Sequence, residues 1–219
     1  VMTDLLCTGQ DFHQQAADLM GLDRSSAKTT VFAVLYALPE MLGFLVAKRL
    51  KVSTKRGNEI ADAMFGKFKR LRAWMMEQLA AGNERGGMTT TWMGQDGRFR
   101  PLWHLASYQE FRKGQRENAM RSTWNGAVQG SAADKMTSSL WPINQALRKE
   151  VPGAFAVLTV YDSVMAECNE GDEEKVARVM ARVLLRFNLG RVPLAVEVKK
   201  GKRWGSMTVM PPETYMEQP

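Results

Sequence analysis

The sequence predicts an α+β fold. Three observations carry that expectation. The first half repeats apolar residues at three- and four-residue spacing, the mark of amphipathic helices. Short β-rich runs bounded by turn residues stand at Met88–Trp103 and at Ala154–Cys168. Helices come first and a small antiparallel sheet with helices follows, so the pattern is not one of alternating strand–helix units.

The elements follow in order. Asp11 to Met20 reads as a short helix stopped by Gly21. Ser25 to Leu38 reads as a second helix, ended by Pro39, and Glu40 to Leu50 as a third. Ser53 can N-cap a long fourth helix, whose stripe is Ile60, Met64, Phe68, Leu71 and Met75. Gly82 and the pair Gly86–Gly87 are expected to break it. Met88 to Met93 alternates threonines with bulky residues, Asp96–Gly97 supplies a turn, and Arg98 to Trp103 returns as a second strand. A helical region from about Gln109 to Glu150 is expected to kink at Pro142. Ala154–Val160 and Val164–Cys168 are nearly continuous apolar strands around the turn Tyr161-Asp162-Ser163, so this hairpin is expected to be buried. Asp172 to Phe187 is an amphipathic helix and Val192 to Val198 a final strand.

Composition narrows the class. The 219 residues are 45% hydrophobic and 24% charged, which suits a globular chain and excludes collagen, disorder and a disulfide scaffold. The longest apolar stretch, Val31 to Leu38, falls short of the roughly 18 residues that span a bilayer, so no membrane role is expected. Cys7 and Cys168 have no metal-ligand spacing and read as small apolar residues of a reduced, intracellular protein. The fifteen methionines read as core filler. The net charge of +7 favours a polyanionic partner, most often nucleic acid.

Several constellations can carry chemistry. Arg24, Lys28, Phe32 and Tyr36 recur every four residues, drifting only about 40° per step, and so share one helix stripe. Two cations at the N-terminal end followed by two aromatics suit a ligand with phosphates at one end and a planar base at the other. The plain alternative is a solvated basic end and a buried aromatic end. Arg121, Asn125 and Gln129 form a second stripe whose donors could meet base edges or phosphates, or simply face water. Asp162 at a hairpin tip could hold a hard cation such as Mg²⁺, or be an ordinary turn aspartate. His13, at a helix start, could reach a phosphate or be a surface histidine.

Taken in order, these segments resemble the fingers and palm of family A DNA polymerases, the bacterial DNA polymerase I type. Arg24-x-x-x-Lys28-x-x-x-Phe32-x-x-x-Tyr36 is similar to the fingers-helix pattern R-x-x-x-K-x-x-x-F-G-x-x-Y-G, and Gly9-Gln-Asp11-Phe-His13 to the G-x-D-I-H segment before it. Gly94 to Leu102 resembles the G-R-R-x-x-L-P hairpin. Arg121-x-x-x-Asn125-x-x-x-Gln129-Gly-Ser-Ala-Ala-Asp134 resembles R-x-x-x-N-x-x-x-Q-G-T-A-A-D. Val160-Tyr-Asp162-Ser-Val resembles the V-H-D-E-L hairpin, and Val192 to Val198 with Trp204 resembles the last palm strand and its terminal N-W.

The resemblance implies roles. It makes His13, Arg24 and Lys28 the residues that grip the triphosphate of a dNTP, with Lys28 also the acid for the pyrophosphate leaving group. Phe32 would pack on the sugar and base, and Tyr36 near the template base. Arg121, Asn125 and Gln129 would contact the DNA primer–template in the minor groove. Tyr161 stands where the family has a histidine that meets the primer end. Asp162 would be a catalytic, metal-binding aspartate of a two-Mg²⁺ site. Residues 1–105 would be fingers and 106–219 the C-terminal part of the palm.

Departures from the pattern also speak. Val31, Ala33 and Ala37 replace residues usual beside the fingers-helix aromatics, and Ser163 replaces a glutamate, as in single-subunit phage RNA polymerases. The family's other metal aspartate lies in D-x-S-x-x-E, which occurs nowhere in these 219 residues. Since the sequence opens at Val1 directly in apparent structure, the expectation is one chain of a split, phage-like polymerase, or else a piece of a longer chain. A second polypeptide would then supply the first aspartate, the remaining palm, the thumb and any exonuclease, in the cytoplasm of a bacterial or phage-infected cell. The other readings are a non-catalytic nucleic-acid-binding accessory and a fragment of a single-subunit RNA polymerase.

Overall fold

Three of the early helices start at a residue, Asp11, Asp23 or Ser53, whose side chain satisfies backbone donors that the helix itself leaves open. The structure, a computed structural model, describes residues 7, 10–38, 41–91, 97–105, 113–186 and 192–216. Helix α1 (Phe12–Met20) begins where Asp11 Oδ1 accepts the N–H groups of His13 and Gln14, and it ends at Gly21 with φ 62°, a left-handed stop that glycine takes without strain. Helix α2 (Arg24–Tyr36) is capped by Asp23, whose Oδ1 accepts from Ser25 and Ser26 at 3.0 Å. It starts one residue before the expected Ser25 and ends before Leu38. Helix α3 covers Leu42–Leu50. Ser53 Oγ caps the next helix by accepting from the Arg56 N–H at 3.2 Å.

The expected long fourth helix is two helices. Helix α4 (Thr54–Lys67) and helix α5 (Lys69–Glu84) meet at Phe68, whose φ of −109° and ψ of 54° leave helical geometry. The cause is packing. Ile60, Met64 and Phe68 belong to the core built with Ala16, Met20, Ala27, Val31 and Leu42. Met75 belongs to a separate cluster with Leu38 and Trp124. Phe65 and Leu71, on either side of the break, pack against both clusters, so the bend at Phe68 lies where the chain passes from one core to the other. Gly82 does not end α5. It stays inside the helix, where the methyl of Thr123 lies against it. The chain then turns at Gly86 and Gly87, as expected.

Strands β1 (Met88–Thr90) and β2 (Phe99–Pro101) pair antiparallel with Thr89 opposite Arg100. The expected Asp96–Gly97 turn lies partly outside the described residues. Helix α6 (Lys113–Glu150) runs through Pro142 to Glu150 as one continuous helix. The chain forms two compact units, residues 1–131 and 132–219, and the junction falls inside α6. The junction expected near residue 105 precedes that helix. In the first unit α6 contributes Ala119 and Trp124 to buried clusters; in the second it contributes Ile143 and Leu147.

The second unit holds strands β3 (Phe155–Val160) and β4 (Ser163–Glu167), an antiparallel hairpin with Val160 opposite Ser163. Helix α7 (Glu173–Leu185) packs Val176, Val179 and Val183 with Ile143, Leu147, Val151 and Ala154. The β3–β4 hairpin is not buried as expected. Phe155, Val157 and Leu158 are exposed, because only Ala156, Val164 and Ala166 are turned to that core. The expected strand Val192–Val198 is also absent. A strand exists through paired backbone groups, and here the ladder is the short pair β5 (Lys199–Lys200) and β6 (Thr208–Val209), which reaches back only as far as the Val198 carbonyl, acceptor of the Met210 N–H at 2.9 Å. Val196 and Val198 instead pack on Ala177, Ala181, Met210 and Tyr215, and the Tyr215 hydroxyl donates to the Val196 carbonyl at 3.0 Å. No helix among the described residues is long and apolar enough to cross a membrane. The mixture of helices and small antiparallel sheets is the α+β class that the sequence predicts.

Candidate nucleotide and nucleic-acid site

The cationic end of α2 is held by α1. Arg24 is the first residue of α2, and its Nε donates to Asp11 Oδ2 at 2.7 Å. The other oxygen of that carboxylate caps α1. One aspartate therefore fixes both the helix that carries His13 and the guanidinium that follows it. The Arg24 guanidinium beside Asp11 holds that carboxyl below the usual carboxylate range, helped by the N–H groups it accepts. The pair uses Nε alone, so the terminal nitrogens of Arg24 have no partner among the described residues. Lys28 stands one turn later, exposed.

Aromatic rings continue the line. The His13 ring lies 5.6 Å from Phe12 and 6.1 Å from Phe32, and Phe12 lies 5.5 Å from Phe68. Phe32 and Tyr36 stack nearly parallel, 6.2 Å apart with 9° between planes. The helical spacing expected from the sequence therefore places both rings on one stripe. Phe32 is 41% exposed, so the stripe is open to a ligand rather than wholly packed away. His13 Nδ1 is buried and has no hydrogen-bond partner among the described residues. Its ring is oriented by the neighbouring aromatics.

The second stripe meets the first. Gln129 Nε2 donates to the Tyr36 hydroxyl at 3.2 Å, across 93 residues of sequence. Asn125 is half-buried on the same helix, one turn earlier. Arg121 donates from Nη2 to Asn118 Oδ1 at 3.5 Å, while its Nε is buried without a partner among the described residues. A cleft of about 420 Å³ adjoins Tyr36, lined by Ala33, Tyr36, Ala37, Leu45, Lys48 and Arg49. An apolar floor with two cations suits a planar base carrying a phosphate.

The hairpin behind α6 was not legible as part of this site. Gly126 and Gly130 each follow a residue of the polar stripe, and a Cβ there would stand 2.6 Å from Thr89 Cγ2 and 2.7 Å from Thr91 Cγ2. Thr89 Oγ1 donates to the Thr123 carbonyl at 2.6 Å. The threonines of β1 and its extension thus press directly on the helix that presents Asn125 and Gln129. The four-residue spacing of the two glycines was the available signal. Asp11, Lys48 and Arg49 are the other participants that the site adds.

Asp162 and Tyr161 lie in the second unit, in the two-residue turn of the β3–β4 hairpin. Tyr161 has a left-handed φ of 53° and is 94% exposed. Ser163 Oγ donates to the Val160 carbonyl at 2.8 Å and closes the turn. Asp162 is exposed and can offer hard oxygen ligands. One carboxylate is not a Mg²⁺ site, however, and no three His, Cys, Asp or Glu side chains converge among the described residues. Cys168 packs beside the second unit's core, where burial pushes its thiol up. Cys7 is exposed, not tucked away as a small apolar residue would be.

Comparisons with known proteins agree on one family. The sequence profile of DNA polymerase family A matches residues 1–206. The chain is 29% identical over 210 residues to DNA polymerase I of Chloroflexus aurantiacus, covering 91% of this chain and 21% of that protein. It is 32% identical over 205 residues to the thermostable DNA polymerase I of Thermus filiformis, covering 90% of this chain and 23% of that protein. Among solved structures, the POL domain of Pol1 from M. smegmatis, in complex with DNA primer-template and dNTP, superposes with a TM-score of 0.77 at 24% identity. That match covers 88% of this chain and 34% of the other. The chain thus spans about a fifth of the length of the curated relatives it matches.

Proposed function

The chain belongs to DNA polymerase family A, and from that premise we propose that it is the nucleotide- and template-gripping portion of a DNA-directed DNA polymerase. The reaction would add a deoxynucleoside monophosphate to a primer 3′ hydroxyl and release pyrophosphate. The observation that carries this reading is the unbroken line from Arg24 and His13 through Phe32 and Tyr36 to Gln129. Cations stand at one end, stacked rings in the middle, and a base-reading amide at the other.

In this reading the fork of Arg24, with Lys28 and His13, binds the triphosphate of the incoming dNTP. Lys28 gives a proton to the departing pyrophosphate oxygen. Phe32 packs on the sugar and base, and Tyr36 and its cleft hold the template strand in register. Arg121, Asn125 and Gln129 grip the primer–template in the minor groove, where donors meet acceptors common to all base pairs. Tyr161 touches the primer end. In the same reading residues 1–105 would be the fingers and 106–219 the C-terminal part of the palm.

Mg²⁺, when bound, would activate the primer hydroxyl and neutralise charge on the phosphates. Asp162 supplies one carboxylate of such a site, and the rest comes from outside these 219 residues. The source is a second polypeptide, as in a split phage-like polymerase, or further sequence of the same protein. The enzyme would work in the cytoplasm of a bacterial or phage-infected cell.

The test is primer extension by this chain alone and with whatever co-purifies with it. Template-directed extension restored by the partner and lost with Asp162→Ala is the expected result. Robust extension by the isolated chain would sink the shared-site reading. The single carboxylate also favours a second reading, a non-catalytic nucleic-acid-binding module derived from a polymerase. Extension unchanged by Asp162→Ala in the assembled protein would favour it. A strict preference for ribonucleotides would overturn the DNA assignment.

A further inference from the structure

The β5–β6 hairpin of the second unit carries chemistry that the site above does not use. Residues 199–203 hold four cations and one glycine. Lys199 and Lys200 form β5, and Lys202, Arg203 and Trp204 follow at the tip, all exposed. Antiparallel pairing of Lys199 with Val209 and Lys200 with Thr208 holds the two strands. The tip is ordered too: Trp204–Ser206 is a single 3₁₀ turn, and the Ser206 N–H bonds the Arg203 carbonyl at 3.1 Å.

Nearby carboxylates do not cancel this charge. Glu197 lies 3.0 Å from Lys199 and Glu170 lies 3.5 Å from Lys202, but all four side chains are at least half exposed. Such pairs contribute about 0–1 kcal/mol and are readily exchanged for another anion. Lys200 and Arg203 have no carboxylate partner among the described residues. Trp204 is 56% exposed, an indole with a large apolar face left in water. A membrane surface would need a wider apolar face than Trp204 and Val209 provide. An acidic peptide would satisfy the cations and leave the indole unused. Cations beside an open aromatic face match a single-stranded polynucleotide, with phosphates on the cations and a base on the ring.

We propose that the β5–β6 tip is a second nucleic-acid contact, in which Lys200, Lys202 and Arg203 hold phosphates and Trp204 stacks on a base of a single strand. It extends the nucleic-acid reading above and shares none of its residues with the first unit's stripe. Arg203 also stands where the terminal N-W pattern of the family has asparagine, so the added cation is a property of this chain.

The test is binding of a fluorescent oligothymidylate to the chain, followed by anisotropy across a salt series. The triple variant Lys200→Gln, Lys202→Gln, Arg203→Gln should bind more weakly. Its slope of log affinity against log salt should be shallower by about 2, at roughly 0.7 per phosphate lost. Trp204→Ala should weaken single-strand binding by about fivefold or more, and duplex binding less. Lysine acetylation of the unaltered chain should show Lys200 and Lys202 protected by the oligonucleotide, a readout independent of any variant's folding. Variants that bind with the original affinity and slope, or lysines that stay unprotected, would overturn the proposal. So would a poly-glutamate that competes fully and whose binding falls equally on Trp204→Ala. Arg121→Ala and Gln129→Ala separate the two readings. If they alone weaken binding, the tip is wrong and the first-unit stripe stands; if only the tip variants do, the reverse holds.

Discussion

Asp11 Oδ2 lies 2.7 Å from Arg24 Nε while Asp11 Oδ1 accepts the N–H groups of His13 and Gln14. The carboxylate holds the guanidinium by its inner nitrogen and leaves the outer fork for a ligand. An arginine held in advance loses less of its roughly 2 kcal/mol of rotamer freedom when a phosphate arrives. Asp11→Ser should therefore weaken the binding of inorganic tripolyphosphate by about three- to tenfold. Serine keeps an N-cap acceptor, so the melting temperature should move little. Titration calorimetry checks this, and tighter binding would mean that Asp11 competes with the phosphate instead of positioning its partner.

The same carboxylate gives a pH dependence with a definite sign. Asp11 and Asp23 both sit below their ordinary value of 3.8, the first through Arg24 and the second through the Ser26 hydroxyl and N–H. A depressed carboxylate stabilises the fold above its unfolded pKa, and that contribution is lost as pH falls through the folded one. Stability from these groups should thus be level from neutral pH down to about 4 and fall below it. Acid unfolding followed by circular dichroism should show a shallower fall for Asp11→Asn combined with Asp23→Asn. An equally steep fall would place the acid sensitivity elsewhere.

Tyr36 and Gln129 link the two stripes through one hydrogen bond of 3.2 Å between exposed side chains. A double-mutant cycle with Tyr36→Phe and Gln129→Ala, measured by urea unfolding, should give a coupling of about 0.5–1.5 kcal/mol. The Tyr36→Phe variant keeps the ring that stacks on Phe32, so its own loss should be under about 1 kcal/mol. Strict additivity would show that the bond is not made in solution.

How much of this was legible in the sequence depended on range. The cap Ser53, the stop at Gly21 and the stripe of Phe32 and Tyr36 are local, the first two carried by residue type and the last by i to i+4 periodicity; that Asp11 caps α1 rather than opening it came from the structure. The break at Phe68 was not legible, because the stripe from Ile60 to Met75 is continuous in sequence, and only the fold shows it passing from one core to another, with Phe65 and Leu71 touching both. The strand expected at Val192–Val198 failed for a related reason: apolar content gives a run its propensity, but only a partner strand makes it a strand. The β3–β4 hairpin reads as buried because its strands are apolar, yet Phe155, Val157 and Leu158 face outward in this chain. The pairing of Asp11 with Arg24 lay within motifs already singled out. Its geometry needed the turn between α1 and α2.

Gly126 tests whether the β1 threonines set the position of the stripe that carries Asn125 and Gln129, the residues proposed to meet the primer–template. A methyl added there would stand 2.6 Å from Thr89 Cγ2, closer than side-chain carbons approach. Thr89 cannot rotate away freely, because its hydroxyl is committed to the Thr123 carbonyl at 2.6 Å. Gly126→Ala gains about 1 kcal/mol of helix propensity. It should still lose about 1–2 kcal/mol net, since overpacking a tight contact costs about 1–3 kcal/mol and the buried bond adds to that. Gly66→Ala in α4 is the matched control. Nothing lies within 4 Å of its added methyl, so it should stabilise by up to about 1 kcal/mol. Thr89→Ser removes the clashing methyl and keeps the hydroxyl, so it should restore most of the loss when combined with Gly126→Ala. Primer–template affinity should follow the same order, falling in the single variant and recovering in the double. If Gly126→Ala were as stable as Gly66→Ala, the hairpin would not press on α6, and Asn125 and Gln129 would owe their position to the helix alone.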